Sequence, residues 1–252
     1  NAIHDGYDGE PHDGVYALQR LSRRVSVSIA PTHLPSHMTL DRPPRAPSLS
    51  GLPITDKAAF IARPTTAAAQ LFFRSGGSSG TPALAGFSYR DFQRQMRAAA
   101  DGLFAAGLDP GRDKVMNLFF SGSLYGGFFS FAKVLELLGA THLPMGAPAD
   151  DDYSDIAQVI IEQRVTVLIG MPSTLHRLFL NEQLRLSRYG GIEKVFLGGE
   201  HISDQCRELL QRCGVASIRS AVYGSVDAGP FGHACAATAD GVFHLMEDIQ
   251  HL

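Results

Sequence analysis

Short apolar segments alternate with longer amphipathic segments along most of this chain, and this alternation constrains the fold more than any other feature. The apolar segments have the length of buried strands, and the amphipathic segments have the 3.6-residue period of helices. Strands are predicted at residues 69–73, 114–120, 140–143, 165–169, 194–197 and 216–222, and helices at 56–62, 88–107, 124–138, 154–163, 174–181 and 203–212. The pattern is typical of an α/β fold with mostly parallel sheets and helices on both faces.

Local signals mark several element ends. Thr55, Ser88 and Ser173 stand where a side-chain oxygen can cap the backbone of a following helix. Gly107 is predicted to end the helix that follows Ser88. At the end of the chain, residues 231–237 and 242–246 flank the turn signal Asp240-Gly241 and are predicted to form a hairpin.

Composition excludes several classes of partner. The formal net charge of −3 gives no reason to expect nucleic acid or an anionic membrane surface. No apolar run is long enough to cross a bilayer, and the N-terminus lacks the order of charged, apolar and small residues of a signal peptide. The three cysteines form no disulfide framework, so a cytoplasmic location is predicted.

The first 50 residues differ from the rest. Five of the 14 prolines lie between Pro31 and Pro47, which predicts an N-terminal segment with a proline-rich linker over residues 1–50. A folded domain is then predicted for residues 51–252. Because the sequence lacks an initial Met and stops at Leu252 within an apparent element, we expect this domain to be incomplete at its C-terminus.

Three segments follow predicted strands, and the carboxyl ends of parallel strands are where such sheets bind ligands. The first is the glycine- and serine-rich run after Arg74: Ser75, Gly76, Gly77, Ser78, Ser79, Gly80 and Thr81. Its unshielded backbone N–H groups and hydroxyls can surround a phosphate. A flexible surface loop is the alternative, because glycine-rich segments mostly mark turns, and the run lacks the lysine of the common phosphate-binding loop.

The second segment is Gly198-Gly199-Glu200, where two residues without bulky side chains would let a flat ring lie against the backbone. The third comprises Tyr223, Gly224, Ser225, Val226 and Asp227. A carboxylate beside a polyphosphate is a natural Mg²⁺ ligand, so Asp227 is the candidate for magnesium. Ordinary turns with a solvated Glu200 and a capping Asp227 are the alternatives.

Together, in order and spacing, the three segments resemble the motifs of the adenylate-forming (AMP-binding, acyl-CoA synthetase) superfamily, in particular its phenylacetate–CoA ligase branch. Three further segments support the resemblance: residues 52–57, Met171-Pro172-Ser173-Thr174, and residues 240–248. The resemblance covers about residues 50–252. It implies the α/β architecture of the large N-terminal domain of those enzymes, with the C-terminal lid absent from this chain.

The resemblance implies an activity in two steps. A carboxylic acid reacts with ATP to give an acyl-adenylate, and a thiol, normally that of CoA, then takes the acyl group. ATP, Mg²⁺ and CoA are the implied cofactors. The nucleotide-binding residues implied are 75–81, 198–200, Tyr223, Gly224, Ser225 and Asp227, and the adenylation lysine is expected beyond Leu252.

The sequence departs from the family pattern at three positions. Thr81 stands where a lysine is expected, so a cation would have to come from Arg74, Arg90 or another residue. Val226 lacks the expected hydroxyl, and Asp227 is one methylene shorter than the expected glutamate.

For the acid itself, the segment after the strand at 114–120 is aromatic and rich in glycine. Phe120, Tyr125 and Gly126 are predicted to line an apolar substrate pocket. Packing of the following helix on the sheet is the alternative explanation for these residues. The stretch contains no lysine or arginine to pair with a carboxylate.

Three other hypotheses remain open. The chain could be an acyl-protein synthetase partnered with or fused to an acyl-CoA reductase, since residues 12–25 resemble the tail of luminescence-type reductases. It could instead be a degenerate nucleotide-binding module without catalysis, which Thr81, Val226 and Asp227 favour. His233 and Cys235 could bind zinc together with His244, or with Cys206 and Cys213, although the spacing matches no standard ligand pair. Ordinary buried cysteines and hairpin histidines are the alternative.

Overall fold

The computed structural model describes residues 56–62, 67–75, 82–150, 152–238 and 241–250. The chain divides into two units, residues 1–64 and 65–252. In the first unit, α1 spans Lys57–Ala62, and Asp56 Oδ1 accepts a hydrogen bond from the N–H of Ala59 at 2.7 Å. The predicted cap Thr55 and the proline-rich segment lie outside the described residues.

The second unit contains the alternating elements that the sequence predicts. Its strands are β1 Leu71–Arg74, β2 Leu84–Phe87, β3 Lys114–Asn117, β4 Thr141–Leu143, β5 Val167–Gly170, β6 Lys194–Leu197, β7 Ser217–Ser220, β8 Tyr223–Ser225, β9 Gly229–His233 and β10 His244–Leu245. Its helices are α2 Tyr89–Ala105, α3 Gly126–Leu138, α4 Ser154–Glu162, α5 Pro172–Asn181, α6 Gln183–Tyr189 and α7 Asp204–Arg212. None of the described helices is long and apolar enough to cross a membrane.

Five strands form the central sheet in the order β4-β3-β5-β6-β7, and every neighbouring pair is parallel. The chain first moves from β3 to β4 on one side and then to β5, β6 and β7 on the other. The order therefore reverses between β3 and β5, and a crevice opens at such a switch point beyond the carboxyl ends of the strands. The predicted α/β fold is confirmed.

Helices cover both faces of this sheet. On one face, buried side chains of alternate strand positions, such as Leu168 and Val195, pack in one cluster with side chains of α4, α5, α6 and α7. On the other face, α3 packs against β3 and β4. All four residues of β5 are buried, which explains why this strand is a continuous apolar run in the sequence.

Two smaller antiparallel sheets complete the described part of this unit. β1 pairs with β2, and β10, β9 and β8 form a three-stranded sheet. The predicted hairpin at 231–246 is present in shorter form, with His233 opposite His244. The predicted strand at 216–222 is present in shorter form as β7, which ends at Ser220, and the chain then joins the three-stranded sheet as β8.

Two observed elements were not predicted, and one predicted cap is wrong. The unpredicted elements are β2 and α6; β2 has only four residues, two of them exposed, and gives a weak pattern. Ser173 is not an N-cap. Helix α5 begins at Pro172, two residues before the predicted start at 174; the fixed φ of proline suits the first turn, and Met171 is at the N-cap position.

Candidate nucleotide and acid site

Ser75, the first residue of the glycine- and serine-rich segment, is joined to Ala83 at the end of the β1–β2 pair. The N–H of Ser75 donates to Ala83 O at 2.9 Å, and the N–H of Ala83 donates to Ser75 Oγ at 2.8 Å. Ser75 Oγ is therefore used for this contact. Gly76, Gly77, Ser78, Ser79, Gly80 and Thr81 lie outside the described residues, so their role in binding phosphate stays a prediction. Of the two candidate cations, Arg74 ends β1 and Arg90 lies at the start of α2, and both are exposed.

The second segment, Gly198-Gly199-Glu200, leaves the carboxyl end of β6. Gly199 has a φ of +82°, and a Cβ there would lie 3.2 Å from the hydroxyl oxygen of Tyr125. Both the backbone conformation and the close approach of this ring therefore require glycine. The tyrosine comes from the position just before α3, so this contact joins the loops that follow β3 and β6.

Glu200, which follows β6, caps helix α5, which follows the neighbouring strand β5. Its Oε2 accepts a hydrogen bond from the N–H of Ser173 at 3.0 Å, in the first turn of α5. A carboxylate is favourable there because it satisfies a free N–H group and faces the positive end of the helix dipole. The cap that sequence reasoning assigned to Ser173 is therefore provided by Glu200.

The third segment forms a hairpin in the three-stranded sheet. β8 contains Tyr223, Gly224 and Ser225, and Asp227 lies in the turn before β9 with an exposed side chain. The ring of Tyr223 is 56% exposed and stacks on Phe243, with 5.1 Å between the ring centroids. Ser225 Oγ accepts a hydrogen bond from the N–H of Ala228 at 3.4 Å, so the hydroxyl contributes to the turn itself.

A cavity of about 600 Å³ lies where the loops after β3, β5 and β6 approach the β8–β9 hairpin. Its described lining comprises Phe73, Phe87, Phe92, Gln95, Met96, Ala99, Phe119, Tyr125, Gly126, Gly127, Ser130, Phe131, Val134, Met171, Gly198, Gly199, Glu200, Val222, Gly224, Ser225, Val226, Gly229 and Pro230. The structure thus brings predicted residues of the second and third segments together with Tyr125 and Gly126. Phe120, Tyr223 and Asp227 are not part of this lining.

The cavity is apolar with few polar groups. Glu200 is the only charged side chain among the described lining residues. Burial raises the pKa of Tyr125 above its ordinary value, and the nearby negative charge of Glu200 raises it further. Tyr125 therefore presents a neutral hydroxyl, able to donate a hydrogen bond, at neutral pH.

The wall between the sheet and α3 is fixed by a buried amide. Asn117, fully buried at the end of β3, accepts a hydrogen bond from the N–H of Phe119 and donates to Phe128 O, each at 3.1 Å. The ring of Phe119 then stacks on Phe131 with 4.8 Å between the centroids. Sequence reasoning missed Asn117 and Phe131 as parts of this wall, because one polar residue ending an apolar strand gives no distinctive signal.

Asp227 is a single candidate ligand for Mg²⁺ and does not form a complete metal site with other described residues. Among the described residues, no group of three or more His, Cys, Asp or Glu side chains could hold a metal ion. A single exposed carboxylate such as Asp227 is still consistent with Mg²⁺, which takes one or two carboxylates and completes its shell with phosphate oxygens and water.

Of the residues considered for zinc, His233, Cys235 and His244 lie close together around the hairpin of β9 and β10, whereas Cys206 and Cys213 belong to α7 and its C-terminal end. Cys235 Sγ lies 3.1 Å from His244 Nε2, and the rings of His233 and His244 stack with 5.2 Å between their centroids. Among the described residues, however, no three such side chains are arranged to hold a metal ion, so the structure does not support the zinc hypothesis. The group also lies outside the lining of the large cavity.

Solved structures, one of them a CoA ligase, have a fold similar to that of this chain. A 2-hydroxyisobutyryl-CoA ligase in complex with 2-HIB-AMP superposes with a TM-score of 0.54 at 19% identity, over 67% of this chain and 38% of that one. ATP-bound MatB from Rhodopseudomonas palustris superposes with a TM-score of 0.50 at 19% identity, over 69% of this chain and 33% of that one. The prediction that the fold is that of the large domain of adenylate-forming enzymes is therefore confirmed.

At such identities the similarity concerns the fold and not the activity. This chain spans only 33% to 38% of the length of these solved structures. No protein-family model matches the sequence, and no curated protein matches it either.

Proposed function

We propose that this chain is the acid- and nucleotide-binding part of an ATP-dependent acid–thiol ligase of the adenylate-forming type. The main observation behind this proposal is the cavity at the carboxyl edge of the sheet. Its lining includes Tyr125 together with Gly199, Glu200, Gly224 and Ser225. The proposal extends to the phenylacetate–CoA ligase-like branch, because the order and spacing of the three segments resemble that branch. A cytoplasmic location is part of it and is supported by three cysteines that are all unpaired.

The proposed reaction has two steps. A carboxylate oxygen attacks the α-phosphorus of ATP, the bond to the β-phosphate breaks, and pyrophosphate leaves. A thiol sulfur then attacks the acyl carbon, and AMP leaves with the electron pair of the broken C–O bond. CoA is the proposed thiol, since one structure of similar fold is a CoA ligase in complex with 2-HIB-AMP and CoA.

Each predicted group has a specific part in this proposal. The backbone at Gly199, which carries no side chain, and the exposed ring of Tyr223 would contact the nucleotide base. Residues 76–81 would surround the phosphates through backbone N–H groups, whereas the N–H and the hydroxyl of Ser75 already bind Ala83. Asp227 would hold Mg²⁺, which reduces the repulsion between the acid and the polyphosphate. Tyr125 and the phenylalanine side chains of the cavity would bind the apolar part of the acid, with Gly126 and Phe120 nearby.

Binding of a carboxylic acid in this cavity needs a positive charge from elsewhere. The only charged side chain of the described lining is negative, so a bound carboxylate gains no cation from this wall. The compensating charge would have to come from outside this wall, with Mg²⁺ and the exposed side chains of Arg74 and Arg90 as the candidates.

Exchange of labelled pyrophosphate into ATP, measured on the full-length protein with aryl and fatty acids, tests the proposal. We expect exchange that depends on an acid, and we expect Asp227→Asn to lower its rate at least about tenfold because the metal ligand is lost. Asp155→Asn, an exposed carboxylate in the first turn of α4, is the matched control and should leave the rate unchanged.

Two alternative functions give different results in the same assay. ATP binding without pyrophosphate exchange would overturn the ligase proposal and favour a nucleotide-binding module without catalysis. Val226 and the position of Asp227 outside the cavity lining support this second hypothesis. Exchange without consumption of CoA would favour an acyl-protein synthetase that passes the acyl group to a reductase. No binding of ATP would overturn the proposal altogether.

A further inference from the structure

Two glutamine side chains, distant in the sequence, bind the turn that carries Asp227. Gln250 Nε2 donates hydrogen bonds to Ala228 O at 2.8 Å and to Pro230 O at 2.9 Å. Gln95 Nε2, from helix α2, donates to the same Ala228 O at 3.3 Å. One carbonyl thus receives two amides, and one amide bridges two carbonyls.

The residue between those two carbonyls explains why they need this bridge. Gly229 has a φ of +78°, and a Cβ at this position would lie 2.5 Å from the side-chain amide of Gln95. The left-handed conformation reverses the chain between the turn and β9. By satisfying both flanking carbonyls, Gln250 stabilises this conformation, and Gln95 lies directly against it.

The position of Gly229 in turn sets the position of the third segment. A Cβ at Gly224 would lie 2.5 Å from Gly229 O, so the backbones of β8 and β9 approach too closely for any side chain at that position. The register of the two strands shifts between Tyr223 and Gly224. Any movement of Gly229 would therefore be transmitted to the backbone of Gly224 and Ser225, which line the cavity.

We propose that Gln95 and Gln250 are positioning residues that hold the turn from Ser225 to Pro230 against helix α2, so that Ser225 and Asp227 meet the nucleotide. This inference rests on the proposed function, because it assigns the turn to nucleotide binding. Gln250 lies outside the described cavity lining and acts through the backbone carbonyls of Ala228 and Pro230, whereas Gln95 lines the cavity and also binds Ala228 O.

The test uses Gln95→Met and Gln250→Met, which keep length and remove the donors, alone and together in the full-length protein. Gln93→Met, an exposed residue on the same helix, is the matched control. We expect the KM for ATP to rise roughly three- to tenfold in each single variant, as loss of one or two hydrogen bonds allows. The KM for the acid should stay unchanged in Gln250→Met, because Gln250, unlike Gln95, is not part of the described cavity lining. Because both amides bind Ala228 O, the effects in the double variant should not be additive.

A readout that does not depend on activity accompanies the kinetics. Amide hydrogen exchange in the peptide covering residues 224–231 should become faster in both variants, whereas the thermal midpoint should fall little. Proportional loss of acid and ATP affinity together with a large fall in the midpoint would show a merely structural role and overturn the inference. Normal exchange in the peptide would overturn it as well.

The two proposals fail in different ways. If the wild-type protein binds no ATP, the proposed function and this inference fall together. If the wild type binds ATP and the glutamine variants bind it equally well, only the positioning role is overturned.

Discussion

The Cys235 thiol differs from the other two cysteines in its surroundings. A hydrogen bond with His244, and then one from the N–H of Ala237, lower its pKa from about 9 to about 7. Cys206 and Cys213 are buried, and burial raises the pKa of Cys206. The thiolate is the nucleophilic form, so the three cysteines should react at very different rates.

We expect alkylation of Cys235 by iodoacetamide to accelerate as the pH rises through about 7, where the thiol loses its proton. In His244→Ala the midpoint of the pH dependence should move upward toward the pKa of a free thiol, and the alkylation rate of Cys235 at pH 7 should fall roughly tenfold. Peptide mapping by mass spectrometry measures all three sites, with Cys206 and Cys213 as internal controls. An unchanged midpoint in the variant would show that His244 is not the cause.

At the scale of single residues, the sequence predicts what depends on near neighbours. Ser88 caps α2 as predicted, accepting a hydrogen bond from the N–H of Asp91 at 3.1 Å, because both residues lie within one turn. The cap of α5 was wrong because its acceptor, Glu200, comes from another strand. Gln95 and Gln250 could not be identified for the same reason, since their shared partner is distant from both along the chain.

At the scale of elements, a buried ion pair joins three of them at the amino edge of the sheet. Lys194 Nζ, at the start of β6, donates to Asp113 Oδ2 at 2.6 Å and to Gly107 O, after α2, at 2.9 Å. The Asp113 side chain is fully buried, and its Oδ2 also accepts a hydrogen bond from the N–H of Asp109. Removing the lysine would leave this carboxylate buried without a countercharge.

Lys194→Met should therefore lower the free energy of unfolding by about 3 kcal/mol, the cost typical of an uncompensated buried charge. Arg112→Met, which breaks the neighbouring exposed pair with Glu193, should cost under about 1 kcal/mol. Urea denaturation of both variants measures the difference. Equal losses would show that burial does not distinguish the two pairs.

Element prediction succeeded where apolar periodicity is strong. β6 was predicted with its observed bounds, Lys194–Leu197, and α4 within one residue. It failed where an element depends on its partner. β2 alternates exposed and buried residues over only four positions, and its pairing with β1 makes it a strand.

At the scale of the whole molecule, burial is concentrated in the middle strands of the five-stranded sheet. Every residue of β5 is buried, whereas every residue of β8 is exposed. Hydrogen exchange depends on local opening, which needs less free energy where fewer apolar contacts are broken. Central and peripheral strands should therefore exchange at different rates.

We expect amides of β3, β5 and β6 to exchange slowest, and those of β8 and of the β1–β2 pair to exchange orders of magnitude faster. Hydrogen exchange followed by mass spectrometry on peptides of the native protein gives the comparison. Similar protection in β5 and β8 would contradict this view.

The overall architecture was predictable because alternation of strand and helix, read over many residues, allows few topologies. The assembly of the cavity was predictable only in outline. Parallel strands bring their carboxyl ends to one edge, so the second and third segments were expected together. The departure of β8 into a separate sheet depends on pairing with β9, which no local pattern indicates.

A parallel sheet also separates two tasks that other folds combine. Every strand of the five-stranded sheet begins at the edge where Asp113 and Lys194 lie, and the chain returns there before the next of these strands starts. The loops at the opposite edge can therefore change in length and chemistry while the anchoring of the strands persists. This separation allows the fold to stay similar while the ligand-binding loops change, as in the superposed parts of this chain and a CoA ligase, which are only 19% identical.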